Sequence, residues 1–260
     1  MKNTLIIAAF LISIVGFGSC TKTNNTKSET SFAKKKTGST SVPSEAWEIH
    51  EQVEIAYRSI WHDSCGFPST RVGVDTLINR VAYIAESLYG MDADSISMFA
   101  RDCFNYYGYF DPYGSNVTFS TFTTNVLAGE SNSTLKSFLS SVLYYTGNDV
   151  VDYGKGEYNN LSLVGDDPAE MRAKGFIDIL EHSFEYNHGR DEEMLTWQYG
   201  STYYLDLQKE AGIAQADSRG FIAGYNRAKQ LGNNDATSMK VGAIYADMCS
   251  IEARNRAYGN

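Results

Sequence analysis

A group of histidine and acidic side chains in the stretch EHSFEYNHGRDEE, residues 181–193, has the composition of a metal site. If this stretch is helical, Glu181 and Glu185 share one face, and His182 and Glu185 lie three residues apart. Imidazole nitrogen together with carboxylate oxygen binds divalent metals. The sequence therefore offers His182, Glu185 and His188 as candidate metal ligands.

An enzyme that used this group would need further ligands from a second helix. The residues that could supply them are His50 with Glu51 or Glu54, and His62 with Asp63. No H-E-x-x-H motif is present, and His188 lies one residue before Gly189, where we expect the helix to end. The simpler interpretation is a solvated acidic helix end, so a metal-dependent enzyme is the alternative function.

A second candidate site is the aromatic stretch FNYYGYFDPYG, residues 104–114, which has six aromatic rings in eleven positions. Tyrosine offers a ring face for stacking and a hydroxyl for hydrogen bonding, which suits a sugar ligand. The candidate ligand-binding residues are Tyr106, Tyr107, Tyr109 and Tyr113. The alternative interpretation is that these amphipathic rings close the edge of a hydrophobic core.

The elements that would position these residues have the apolar period of helices. VDTLINRVAYIAESLYG predicts a helix with Asp75 as its N-cap and Gly90 just past its end, and the next helix should close at Gly108. A helix from Pro168 should end at Gly189, with Asp191 capping another. Weaker patterns predict helices over 45–61, 120–127 and 133–145. We expect an all-α fold, an irregular bundle of roughly seven to nine helices, with loops at 110–118 and 147–166.

Small side chains recur at every fourth position in GIAQADSRGFIAGYNRAKQLG, residues 212–232, and again in KVGAIYADMCSIEARNRA, residues 240–257. Such rows let two helix backbones approach closely, and they resemble the glycine-zipper or small-xxx-small pattern. The sequence predicts a close-packed antiparallel hairpin across the turn at 231–235, with self-association as the alternative. The predicted packing residues are Ala216, Gly220, Gly224, Ala228, Gly242 and Ala246.

The first twenty residues, MKNTLIIAAFLISIVGFGSC, have the order of an export signal, with Lys2 followed by an apolar run from Leu5 to Val15. Eleven helical residues span only about half of a ~30 Å hydrocarbon core, so the run is too short for a stable membrane span. Phe17-Gly18-Ser19-Cys20 resembles the lipobox of bacterial lipoproteins. The resemblance implies removal of a signal peptide over 1–19, and acylation of Cys20 by palmitate and related chains. It also implies a lipid anchor in the cell envelope, at the outer membrane in a Gram-negative cell, because Thr21 rather than Asp follows Cys20.

Residues 20–43 form the lipidated cysteine and a polar segment that cannot bury enough apolar surface to order itself, so we expect a disordered tether. The domain after it, residues 44–260, carries 30 acidic and 16 basic side chains. This acidic excess excludes nucleic acid as a partner. A possible sub-boundary falls at 147–166.

Three cysteines remain beside Cys20. We expect a disulfide between Cys65 and Cys103, and a buried thiol at Cys249. No P-loop, dinucleotide-binding turn, nucleophile elbow or C-x-x-C motif is present, so no cofactor is predicted. The sequence thus predicts a lipid-anchored cell-envelope protein with a binding or structural role and a protein or glycan partner.

Overall fold

The computed structural model describes residues 45–61, 73–108, 119–163, 168–199 and 207–258, with the backbone alone at 61, 119, 186–199 and 255–258. The predicted signal peptide, Cys20, the tether, Tyr109 and Tyr113 lie outside these residues. The anchor and the tether therefore remain predictions.

Within the described ranges the regular structure is entirely helical, as predicted. The nine described helices are α1 (Ala46–Trp61), α2 (Val74–Tyr89), α3 (Ala93–Tyr106), α4 (Phe119–Ala128), α5 (Ser133–Leu143), α6 (Val150–Asn159), α7 (Pro168–Tyr199), α8 (Leu207–Gln230) and α9 (Asp235–Tyr258). Their apolar faces meet in one hydrophobic core that includes residues from every one of them.

The two ends of α2 differ in how well the local sequence predicts them. Gly90 adopts a left-handed conformation (φ +64°) and donates its N–H to the Glu86 carbonyl, so it closes the helix as predicted. The predicted N-cap was wrong, because Gly73 holds that position and Asp75 lies in the first turn. The Asp75 carboxylate instead accepts a hydrogen bond of 2.9 Å from Arg101 of α3.

The predicted loop at 147–166 contains a helix, α6, and this prediction was wrong. Two glycines inside α6 weaken its helical pattern. Gly154 is needed there, since a Cβ at this position would lie 2.9 Å from Ile177 Cδ1 and 3.0 Å from Leu180 Cδ2. Packing of α6 on α5 and α7 therefore offsets its poor intrinsic propensity, and it joins the two sides of the possible sub-boundary.

The predicted break at Gly189, with a new helix capped by Asp191, was also wrong. One helix of 32 residues, α7, runs through both positions. A helical glycine costs only about 1 kcal/mol relative to alanine, and Glu, Met and Leu follow it, which are strong helix formers. The flanking propensity outweighs a single glycine.

The predicted close-packed C-terminal hairpin is confirmed. A Cβ on Gly220 would lie 2.8 Å from Cys249 Sγ and 3.0 Å from the Ala246 backbone, and one on Gly224 would lie 2.9 Å from Gly242 Cα. The two backbones therefore meet at distances that only glycine allows. Gly232 makes the turn between them in the left-handed region (φ +88°).

The helix α8 is the central one of the fold. Besides α9, four other helices pack against it: α3, α4, α5 and α7. From Ile213 to Tyr225 every residue of α8 is buried, including the charged Asp217 and Arg219. Among the described residues, no helix is long and apolar enough to cross a membrane.

The predicted disulfide between Cys65 and Cys103 is not present. The Cys103 thiol is free and buried on α3, and Cys65 lies outside the described residues. Cys249 is a buried free thiol, as expected from its place in a helical pattern.

We predict opposite effects of alanine at two glycines of α8. Gly220→Ala lowers the free energy of unfolding by about 1–3 kcal/mol, because the new methyl group overlaps Cys249 and the α9 backbone. Gly212→Ala raises it by up to about 1 kcal/mol, because a Cβ there has no atom within 4 Å and alanine favours the helix. Denaturant unfolding of the two variants measures both changes. Equal effects would contradict the close approach.

Candidate functional site

The inner face of α1 carries three charged or polar side chains at a spacing of four residues. His50, Glu54 and Arg58 are all buried, together with Val53 and Tyr57 of the same helix. Residues at this spacing lie above one another on one helix face. They therefore form a polar stripe inside the core, facing α9.

His50 lies between two carboxylates that come from the C-terminal hairpin. Its Nε2 atom is 3.6 Å from Asp217 Oδ2 of α8 and 3.7 Å from Asp247 Oδ1 of α9. The side chain of His50 is 4% exposed, and those of Asp217 and Asp247 are 0% exposed. Ser183 of α7 donates a hydrogen bond to Asp217 Oδ2. Four helices therefore meet at this point.

Glu54 lies one turn further along α1 and is held by two guanidinium groups. Arg58 donates to Glu54 Oε1 from Nε at 3.2 Å and from Nη2 at 2.9 Å. Arg254 of α9 donates to the same oxygen from Nη1 at 2.9 Å. We refer to His50, Glu54, Asp217 and Asp247 as the buried centre.

Several polar atoms of the buried centre face it without a hydrogen bond from any described residue. These are His50 Nε2, both carboxylate oxygens of Asp247, Glu54 Oε2 and Asp217 Oδ1. An unsatisfied buried polar group costs about 1–3 kcal/mol, and more when it is charged. Such a concentration in one place is unusual for a part of a core that serves packing alone.

The electrostatics of the buried centre shift three pKa values. Burial opposes the charged form of His50, but Asp247 and Asp217 outweigh it and raise the pKa of His50 to about 10. Burial also opposes the Glu54 carboxylate, yet Arg58 and Arg254 hold its pKa well below the usual range. Burial raises the pKa of Asp247 well above its usual value, with His50 opposing. The coupled pair of His50 and Asp247 therefore holds at least one proton at neutral pH.

The donor set could also hold a metal ion. A ligand atom from each of His50, Glu54 and Asp247 lies within 4.8 Å of the other two, and all three residues are buried. One imidazole nitrogen with carboxylate oxygens is a set that divalent transition metals accept.

An open cleft of about 610 Å³ lies between the first turns of α1 and α9 and the first half of α7. Its lining is partly apolar and partly charged: Glu45, Ala46, Ile49, Met171, Lys174, Gly175, Asp178, Asp235, Ala236, Met239 and Lys240. Lys174 pairs at 3.1 Å with Glu45, which directly precedes α1, and with Asp178 of its own helix. We refer to this opening as the cleft, and no member of the buried centre lines it.

The group of candidate metal ligands predicted on α7 has a different environment. The His182 ring stacks on Trp47 with centroids 3.9 Å apart and planes 13° from parallel. Glu185 is exposed, and the His188 side chain is outside the described residues. Metal binding by His182, Glu185 and His188 remains a prediction.

One of the four tyrosines predicted to bind a ligand lies in the core. Tyr107 is 1% exposed and packs edge to face on Phe122, so it is a core residue rather than a surface one. Tyr106 is exposed, and the Arg227 guanidinium covers its ring at 4.2 Å. The glycan hypothesis therefore depends on Tyr106 together with Tyr109 and Tyr113, the last two of which are outside the described residues.

Sequence reasoning named His50 and Glu54 only as possible partners of the α7 group, and it missed Asp217 and Asp247. Each of these two acids directly follows a small residue of the close-packed rows, Ala216 or Ala246. An acid beside the contact row of a buried helix was the available signal, because such a charge needs a partner inside the core.

We predict that the buried ion pairs matter far more than exposed ones of the same length. Arg254→Met lowers the free energy of unfolding by about 3 kcal/mol, because Glu54 loses a donor inside the core. Arg101→Met, which removes an exposed pair with Asp75 that is also 2.9 Å long, changes it by less than about 1 kcal/mol. Denaturant unfolding measures both. Losses of the same size would show that burial does not increase the contribution of the Glu54 ion pairs to stability.

Comparison of the chain with protein-family models, with curated proteins and with solved structures finds no match. The functional conclusion therefore depends on the chemistry of the buried centre and the cleft.

Proposed function

We propose that this chain is a lipid-anchored cell-envelope protein whose helical domain binds a partner protein through the cleft and has no catalytic role. The lipobox-like Phe17-Gly18-Ser19-Cys20 supports the anchor. The cleft supports the binding role.

The observation that carries the binding role is the separation of reactive groups from the accessible opening. The histidine and the carboxylates with shifted pKa values are enclosed in the buried centre, where His50 is 3% exposed and Asp247 is 0% exposed. The cleft is open, and the described residues that line it include no histidine, cysteine, serine or tyrosine. A substrate in the cleft would therefore not meet a nucleophile or an imidazole base from these residues.

Two acids of the cleft, Glu45 and Asp235, are also poorly suited to proton transfer. The hydrogen bond from Lys174 lowers the pKa of Glu45, and the hydrogen bonds from Tyr225 and Lys229 lower the pKa of Asp235. A general acid at neutral pH needs a raised pKa instead. These carboxylates serve ion pairing.

The mixed lining of the cleft favours a protein segment as the ligand. Met171, Met239 and Ile49 offer a soft apolar surface, and methionine adapts to the shape of a bound side chain. Charges of both signs surround them, from Lys174 and Lys240 to Asp178 and Asp235. A segment with one apolar anchor between oppositely charged neighbours would satisfy both features.

We predict that the chain incorporates palmitate at Cys20. In cells grown with an alkyne analogue of palmitate, the protein should become labelled. Cys20→Ser should abolish the label, because the lipobox resemblance implies that the Cys20 thiol is acylated. Cys65→Ser should keep it and serves as the matched control. Label that persists in Cys20→Ser would refute the anchor.

We predict that a photoreactive amino acid at Met239 gives a discrete protein adduct in intact cells. The same substitution at Met98, a 70% exposed methionine of α3, should give none and controls for exposure alone. Adding Met171→Glu to the Met239 probe should remove the adduct, because it places a charge in the apolar part of the cleft. Equal adducts from both probe positions, or an adduct that survives Met171→Glu, would contradict binding in the cleft.

A further inference from the structure

We propose that the buried centre binds one divalent transition-metal ion through His50 Nε2, Glu54 Oε2 and a carboxylate oxygen of Asp247. The ion would have a structural role, because the three ligands are enclosed and lie outside the cleft. The proposal is independent of the partner protein.

The spacing of the ligand atoms fits a single ion. Two ligands at about 2.1 Å from a tetrahedral metal lie about 3.4 Å from each other. His50 Nε2 and Asp247 Oδ1 are 3.7 Å apart, and one ligand atom from each of His50, Glu54 and Asp247 lies within 4.8 Å of the other two. Small side-chain rotations would bring all three to bonding distance.

The hydrogen bonding around Glu54 leaves one oxygen for a metal. Arg58 and Arg254 both donate to Oε1, whereas Oε2 is buried without a hydrogen bond from any described residue. Outer partners that fix a ligating carboxylate in this way are a regular part of metal sites. The two arginines therefore orient Glu54 and leave its Oε2 atom as a candidate metal ligand.

Asp247 is the second observation that points to a ligand. It is fully buried, and within the described part of the chain neither of its oxygens has a hydrogen bond. Asp217 completes the surroundings as a positioning residue, since Ser183 holds its Oδ2 and this oxygen lies 3.6 Å from His50 Nε2.

The donor chemistry selects the kind of metal. Calcium and magnesium favour sites made of oxygen alone, whereas imidazole with carboxylates suits Zn²⁺ and its neighbours. Glu54 is paired with Arg58 and Arg254, whereas the carboxylates of Asp217 and Asp247 lie beside His50. Either a proton on His50 or a divalent ion can therefore balance the negative charge of these carboxylates, and the two compete.

The first experiment uses the full chain purified in detergent, with metal removed by chelator. We expect it to bind one equivalent of Zn²⁺ by calorimetry, while Mg²⁺ and Ca²⁺ give no heat above dilution. We expect Co²⁺ to bind with visible bands of nitrogen and oxygen ligands and no sulfur charge-transfer band. These measurements use the wild-type chain alone, so their outcome does not depend on the stability of a variant.

The second experiment compares histidines. Zn²⁺ should raise the melting temperature of the wild-type chain and of His182→Gln, whose ring stacks on Trp47 outside the buried centre. His50→Gln and Asp247→Asn should lose this shift and bind Zn²⁺ at least about 100-fold more weakly, because each removes a ligand. Helical circular dichroism checks that each variant is folded.

Two outcomes would overturn the proposal. Absence of Zn²⁺ and Co²⁺ binding by the wild-type chain would show that a proton on His50 completes the buried centre. Loss of Zn²⁺ binding in His182→Gln with retention in His50→Gln would move the site to the α7 group. Neither outcome affects the Met239 adduct, so failure here and failure of the proposed function are distinguishable.

Discussion

The close approach of α8 and α9 is the constraint on which the rest of the structure depends. Gly220, Gly224 and Gly242 bring the two backbones so near that the middle of α8 is enclosed on all sides, and the polar residues of that part are enclosed with it. A buried Asp217 is expensive unless charge of the opposite sign meets it. The polar stripe of α1 supplies that charge, and α1 is therefore placed by electrostatics as much as by apolar contact.

The small-residue rows predicted the hairpin because small side chains at every fourth position of a helix with charged neighbours indicate a close backbone contact. The predicted break in α7 and the predicted loop over α6 were both wrong. At Gly189 the strong helix formers that follow outweigh the helix-breaking tendency of one glycine, and at Gly154 packing against α7 offsets it. The acids beside the small-residue rows indicated that Asp217 and Asp247 need partners in the core, but the sequence could not identify His50 as that partner, since His50 and Asp247 are separated by almost the whole domain. A periodic pattern within one helix does not show which residues of distant helices come into contact.

The molecule divides its chemistry between two places. The buried centre concentrates reactive side chains where no large ligand can reach them, and the cleft is open, with Lys174, Glu45 and Asp178 already in ion pairs. The first arrangement suits cohesion of the fold and the second suits recognition. Under the proposed function, the glycine rows and the buried charges hold the fold together, and the methionine surface of the cleft contacts the partner.

The contact between Glu54 and Arg254 joins residues that are 200 positions apart in the chain. Arg58 of the same helix also pairs with Glu54, but the second guanidinium group reaches this carboxylate only when α9 is in place. Contacts of such long range slow the search for the native state. Formation of this part of the core therefore depends on α9, and removal of the turn of α9 that carries Arg254 would leave the buried Glu54 with Arg58 alone and destabilise the domain at α1.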